Sequence, residues 1–219
     1  MEYLEMPEPL ESSPLKGKRL LFLGSSVTFG SAAGGVSMAD YIRVMDGCTV
    51  VKEAVSGTTL ADRSKDSYLS RLRRIETNQS FDAVICQLST NDASRKICLG
   101  AVSASREPDA FDTSTVAGSM EAIIAYVQNT WNCLLVFYTG TRYESREYQA
   151  MVDLLPRLRD KWGIHVLDLW NDDGMNAVSR EDYALYMHDA VHPSRAGYLL
   201  WWTPKFRNFL YGLFSGNRE

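Results

Sequence analysis

Five short apolar runs punctuate the chain, at Arg19 to Leu23, Cys48 to Val51, Ala83 to Leu88, Cys133 to Tyr138 and Ile164 to Leu169. Each is of strand length and rich in aliphatic and aromatic residues, the pattern of a strand covered on both faces. Between and after them lie segments of helical length with mixed apolar and polar faces: Ser37 to Met45, Tyr68 to Thr77, Val116 to Asn129, Glu147 to Trp162 and Ala196 to Leu213. This alternation predicts an α/β fold in which a parallel sheet carries helices on both sides. Ligands of such open sheets bind beyond the carboxyl ends of the strands. Ser26 follows the first run, Gly57 the second and Asn91 the third. Connections leaving the same sheet edge would bring these three residues together.

With 219 residues the chain can bury one substantial core, and nothing in the pattern divides it. The expectation is a single domain over residues 1–219, with residues 1–16 forming a poorly structured N-terminal arm. No internal repeat or low-complexity tract interrupts it. The segment from Ala93 to Ser114 is long for a strand-to-helix connection. It reads equally as a lid or specificity element and as a surface excursion without a role.

Charge and cysteine content narrow the classes further. The formal net charge of -4 is mild and the two signs are interspersed, which gives no nucleic-acid footprint. Arg71, Arg73 and Arg74 read as the wet face of a helix. No stretch approaches the roughly 18 apolar residues of a membrane span. Met1 to Pro14 carries several acids and no apolar core, unlike a secretory signal. Cys48, Cys86, Cys98 and Cys133 have no metal-ligand spacing and read as buried free thiols. Together these features predict a cytoplasmic protein with no metal and no cofactor. Its oligomeric state is not encoded in the pattern.

Two stretches more than 160 residues apart carry the candidate chemistry: Gly24-Ser25-Ser26-Val27-Thr28-Phe29-Gly30 and Asp189-Ala190-Val191-His192-Pro193. The first places a serine where a buried strand gives way to a helix, beside free backbone donors. The second places an acid three residues before a histidine, a spacing that one tight turn accommodates. Taken alone, Asp189 and His192 read as a capped turn before a helix, with Pro193 suited to its first residues. Beside a serine they supply a nucleophile, a base and an orienting carboxylate.

In this order the residues resemble the SGNH hydrolases, or GDSL-type lipases and esterases. The resemblance rests on four blocks: Gly24-Ser25-Ser26 with Gly30, Ala54 to Thr59 centred on Gly57, Ser89-Thr90-Asn91-Asp92, and Asp189 to His192. Two positions depart from the family pattern. Ser25 stands where the family has aspartate, and Ser89 where it has glycine. The resemblance implies a flavodoxin-like α/β/α three-layer sandwich with a five-stranded parallel sheet. It also implies Ser26, Asp189 and His192 as catalytic residues, and an oxyanion hole formed by the backbone N–H groups of Ser26 and Gly57 with the Asn91 side-chain amide. Without the resemblance, Gly57 reads equally as a turn glycine and Asn91 as a loop cap.

The chemistry asks distinct things of each group. A serine hydroxyl is a poor nucleophile at neutral pH and requires a base within hydrogen-bond reach. Histidine, with an ordinary pKa of about 6.5, can take that proton and return it to the leaving alcohol. Asp92 is expected to brace its loop, Ser25 to have no catalytic role, and His165 and His188 to be structural. The leading expectation is a serine esterase or acylhydrolase acting on a small acyl ester, of a small molecule or a carbohydrate, with an acetylated sugar as one such substrate. The alternative is a catalytically silent ligand-binding module on the same fold. A phosphate-binding loop is disfavoured, because Gly24 to Gly30 lacks both the P-loop and the dinucleotide-binding spacing.

Overall fold

A computed structural model describes residues 3–215. Its centre is a five-stranded sheet formed by β1 (Arg19–Gly24), β2 (Thr49–Ala54), β3 (Ala83–Gln87), β4 (Leu134–Tyr138) and β5 (His165–Leu167), in the spatial order β2-β1-β3-β4-β5. Every neighbouring pair is parallel, with Leu20 opposite Val50 and Ala83, Ala83 opposite Leu134, and Val136 opposite His165. The order reverses at β1, whose neighbours β2 and β3 follow it in the chain on opposite sides. That switch point opens a crevice at the carboxyl ends of the strands.

The apolar runs explain why both faces are covered. Successive side chains of a strand point to opposite sides. Leu21 and Leu23 of β1, Val84 and Cys86 of β3, and Leu135 and Phe137 of β4 join one buried cluster. Leu20 and Phe22, Ala83 and Ile85, and Val136 and Tyr138 join the other. The helices, in chain order, are α1 (Ser26–Phe29), α2 (Met38–Asp46), α3 (Tyr68–Leu72), α4 (Thr90–Ser94), α5 (Val116–Thr130), α6 (Arg146–Val152), α7 (Leu155–Trp162), α8 (Asp173–Asn176), α9 (Arg180–Tyr186) and α10 (Thr203–Phe214). Apolar residues of α3, α5, α6 and α7 fill the first cluster, and those of α2 and α10 the second. The result is the three-layer α/β/α arrangement that the pattern predicts.

Three of the predicted helices differ from those observed. The segment Glu147 to Trp162 is two helices, α6 and α7, separated at Asp153 and Leu154; Pro156 sits in the first turn of α7, where it lacks no required N–H. The helix predicted to Thr77 ends at Leu72. The last helix begins as one widened π turn, Gly197–Trp202, before α10. Gly197 lies so close to the Tyr186 carbonyl that a Cβ would fall 2.0 Å from its oxygen.

Residues 4–16 contain no helix or strand and are mostly exposed, but several contacts tie them to the domain. Leu15 is fully buried, the Ser13 hydroxyl donates to Asp46 at 2.7 Å, and Arg195 donates to the Leu4 carbonyl at 3.0 Å. The segment between α4 and α5 is likewise tethered. Glu121 on α5, with no exposed side-chain surface, accepts from the Ser103 N–H at 2.7 Å and pairs with Lys161 on α7. Lys161 in turn donates to the carbonyls of Ser103 and Ser105. Phe111 is buried alongside. The cysteine expectation also needs correction: Cys48 and Cys86 are buried, Cys133 is partly covered, and Cys98 is exposed; all four are free.

Candidate active site

The nucleophile candidate owes its position to a sharp strand-to-helix junction. β1 ends at Gly24, Ser25 (φ −121°, ψ −141°) makes the bend, and Ser26 begins α1. Gly24 is required because the Thr28 side chain folds back over it: an added Cβ would lie 1.7 Å from Thr28 Oγ1. No Ser25 side-chain cap satisfies the start of α1. Gln87 at the end of β3 does so instead. Its Oε1 accepts from the Ser25 N–H at 2.9 Å, the Thr28 N–H at 3.2 Å and the Thr28 hydroxyl at 2.7 Å. The backbone donors fix which end of the amide faces α1, because Nε2 could not accept from them.

Ser26, Asp189 and His192 come together. Ser26 Oγ lies 2.8 Å from His192 Nε2, and His192 Nδ1 lies 2.8 and 3.0 Å from the two Asp189 oxygens. The turn is built by Asp189 itself, whose Oδ1 accepts the N–H groups of Val191 and His192 at 2.9 and 2.8 Å. It is closed by a bridge between Met187 and Pro193 and by the His188 N–H on the His192 carbonyl. Partial burial works to raise the Asp189 carboxyl, but the hydrogen bonds from Val191 and His192 outweigh it and hold the group below the usual carboxylate range. An ionised Asp189 can only accept, so Nδ1 carries the imidazole proton and Nε2 is left to accept from Ser26.

The three candidate oxyanion donors border the same edge. Gly57 has φ +79°, a conformation that favours glycine, in the turn after β2. Among the described residues, the N–H groups of Ser26 and Gly57 meet no protein acceptor. Asn91 lies on α4, and its Nδ2 donates one hydrogen to the Thr58 carbonyl at 2.9 Å, leaving the second free. Ser89, where the family has glycine, caps α4 by accepting from the N–H groups of Asn91 and Asp92. Asp92 is a brace: buried, it accepts from the Leu60 and Ala61 N–H groups at 2.8 and 3.0 Å, and burial raises its carboxyl despite them. Ser25 has no exposed surface and faces Gln87.

A cleft of about 410 Å³ opens over these groups, lined among others by Ser26, Asn91, Lys96, Tyr143, Glu147 and His192. The predicted strand ends thus converge, although Gly57 is not among the lining residues. His165 lies partly buried in β5, where burial lowers its pKa, and His188 is exposed on the turn. Among the described residues, no group of three His, Cys, Asp or Glu side chains could hold a metal ion. None of the described helices is long and apolar enough to cross a membrane.

Residues 22–200 match the GDSL-like lipase/acylhydrolase family. The chain belongs to this family. Similar folds include a protein from Lactobacillus plantarum at 21% identity and TM-score 0.75, with 89% of this chain and 97% of that one covered. A member of the lipolytic G-D-S-L family from Veillonella parvula is 12% identical at TM-score 0.62, over 92% of this chain and 99% of the other. A family two carbohydrate esterase from Clostridium thermocellum, in complex with cellohexaose, is 14% identical at TM-score 0.55, over 94% of this chain and 67% of that one. No curated protein matches the sequence. Family membership makes the chain a hydrolase of the lipase/acylhydrolase type.

Two residues near the site escaped the sequence reading. Arg71, expected on a wet helix face, is buried at 2% exposure, whereas Arg73 and Arg74 are exposed as expected. Its spacing carried a signal: Arg71 lies three residues after the apolar Tyr68 and beside Leu72. Gln87 was visible as the one polar residue within the apolar run Ala83 to Leu88.

Proposed function

We propose that this chain is a serine esterase that cleaves a small acyl ester through an acyl-enzyme intermediate. The observation that carries the reading is the continuous relay from Ser26 Oγ to His192 Nε2, and from His192 Nδ1 to Asp189, with each link at 2.8 Å. Ser26 Oγ attacks the ester carbonyl carbon while its proton passes to His192 Nε2. Asp189 accepts from Nδ1, fixing the reactive tautomer and stabilising the imidazolium. The tetrahedral centre collapses, the bond to the leaving alcohol breaks, and His192 returns the proton to that oxygen. Water repeats the sequence on the acyl-enzyme and releases the carboxylic acid.

As the carbonyl becomes tetrahedral, its oxygen gains charge, and donors placed in advance are each worth about 10² to 10³ in rate. The Ser26 and Gly57 N–H groups and the free hydrogen of Asn91 Nδ2 fill that role. They cost little reorganisation, because the segments bearing the two backbone donors are hydrogen-bonded and the Asn91 amide is held by the Thr58 carbonyl. The cleft admits an alcohol much larger than methanol. An acetylated oligosaccharide is therefore the carbohydrate substrate to try, in keeping with the carbohydrate esterase among the fold relatives.

The test is hydrolysis of p-nitrophenyl esters from acetate to long acyl chains, and of acetylated cello-oligosaccharides, beside Ser26→Ala. Short-chain turnover that disappears in the variant is the expected result. Turnover that survives Ser26→Ala would reject this nucleophile. Absence of turnover on every ester would favour the silent binding module.

A further inference from the structure

Arg71 makes contacts whose number and destinations exceed what anchoring α3 requires. Its side chain is 1% exposed. A guanidinium has five N–H donors, and each has an acceptor here. Nε donates to the Asp66 carbonyl at 3.0 Å, closing the loop that leads into α3. Nη1 donates to the Glu53 carbonyl at 2.6 Å and to Glu53 Oε1 at 3.2 Å. Nη2 donates to the Gly24 carbonyl at 2.7 Å and to Thr58 Oγ1 at 3.2 Å. The Tyr68 ring covers the guanidinium, 5.3 Å from its carbon.

The acceptors share a feature: each of the two Nη2 partners adjoins a backbone unit that carries an oxyanion donor. The Gly24–Ser25 peptide immediately precedes Ser26. Arg71 holds its carbonyl, and Gln87 holds its N–H from the other side. The Ser26 N–H belongs to the following plane, whose Ser25 carbonyl accepts from the Phe29 N–H at 2.8 Å, so with the Gly24–Ser25 plane also held, the segment from which that N–H emerges is anchored on both sides. Thr58 immediately follows Gly57. Its hydroxyl accepts from Arg71 and donates to the Val55 carbonyl at 2.7 Å, which pins both ends of the turn that presents the Gly57 N–H. The Thr58 carbonyl accepts from Asn91 Nδ2, so the third donor is registered against the same residue.

We propose that Arg71 is a positioning residue that sets the three oxyanion donors against one another through Gly24 and Thr58. The proposal rests on the serine-esterase reading and on Gly57 and Asn91 as donors. Lysine cannot replace it. An ammonium has three donors radiating from one point and reaches neither the spread nor the planarity of the guanidinium fork. Arg71→Lys therefore loses at least two of the five hydrogen bonds; the Gly24 carbonyl keeps the Val55 N–H at 3.3 Å and the Ser25 N–H keeps Gln87, so the turn and the Gly24–Ser25 peptide are loosened rather than released. Misplaced donors weaken binding of the tetrahedral state and leave the ground state nearly untouched. Arg71 makes no hydrogen bond to Ser26, His192 or Asp189, and lysine keeps its charge, so the acid limb of the rate should not move.

The experiment compares wild type, Arg71→Lys, Thr58→Val and Thr58→Ser on p-nitrophenyl acetate. It measures kcat, KM, the acid limb of the pH–rate profile, and inhibition by methylboronic acid, which forms a tetrahedral adduct on serine. For a folded Arg71→Lys, kcat should fall about 30- to 100-fold with KM within threefold. Methylboronic acid should bind more weakly by a similar factor, and the acid limb should stay in place. Thr58→Val removes only the hydroxyl link and should lose about tenfold in kcat, with Thr58→Ser restoring it. This pair decides the matter if Arg71→Lys does not fold. A Thr58→Val enzyme with wild-type kcat, a folded Arg71→Lys with less than threefold loss, or a shifted acid limb would overturn the proposal. Wild type that neither turns over esters nor is labelled by a fluorophosphonate would instead overturn the esterase reading, and the positioning role with it.

Discussion

Replacing Asp189 by Asn changes the chemistry of the relay while sparing its architecture. Asp189 does two jobs: Oδ1 accepts the N–H groups of Val191 and His192, and both oxygens face His192 Nδ1. The Asn carbonyl can keep the turn. Its amide then presents N–H toward Nδ1, which favours the imidazole tautomer with the proton on Nε2. That nitrogen lies 2.8 Å from Ser26 Oγ and would donate to the hydroxyl where it must accept. In a buried relay the wrong tautomer costs about 10⁴ in rate, or about 5.4 kcal/mol. The Asp189 side chain is 48% exposed, so water can solvate the imidazolium in its place. The expected loss is therefore about 10² to 10³ in kcat/KM. Steady-state hydrolysis of p-nitrophenyl acetate measures it, with thermal melting to verify that the turn survives. A folded Asp189→Asn protein within threefold of wild type would refute the assignment of Asp189 as the orienting carboxylate.

Gln87→Leu orphans the Ser25 and Thr28 N–H groups and should lower stability by about 2 to 4 kcal/mol. Gln87→Glu should keep the melting temperature closer to wild type, since Nε2 has no partner to lose among the described residues; equal melting of the two variants would contradict the capping role. Glu121→Gln leaves the Lys161 ammonium without its carboxylate and should cost about 3 kcal/mol, a drop of about 6 to 12 °C in melting temperature. Hydrogen exchange should rise at Ser103, and unchanged protection there would show that Glu121 does not tether the segment. The Asp189 carboxyl titrates below its unfolded value, so its contribution to stability is complete above about pH 4. It is lost as pH falls through the lowered folded value. Acid unfolding monitored by circular dichroism should show a shallower loss in Asp189→Asn, and identical acid limbs would disprove that linkage.

The sheet was legible because buried parallel strands leave continuous apolar runs that are hard to mistake, and their alternation with helices fixes the layer arrangement. The strand ends were legible for the same reason, which is why Ser26, Gly57 and Asn91 could be placed at one edge. Short helices were not. α1, α4, α8 and α9 span only four to seven residues, too few for a helical period to emerge. The break between α6 and α7 was hidden because Pro156 lies inside a pattern that remains amphipathic across it. Arg71 shows a different limit. A charged residue reads as solvated until its partners are known, and two of its partners, Thr58 and Gly24, lie 13 and 47 residues away. The departures at Ser25 and Ser89 became intelligible only in three dimensions. One faces Gln87 beneath α1, and the other caps α4.

The proposed activity stands on Ser26 as a nucleophile activated by His192. Reaction of the intact protein with a small fluorophosphonate, followed by mass measurement and peptide mapping, tests it. A single phosphonyl adduct is expected on Ser26, absent in Ser26→Ala and strongly slowed in His192→Ala. An adduct on Ser25, or no adduct on a folded protein, would contradict it.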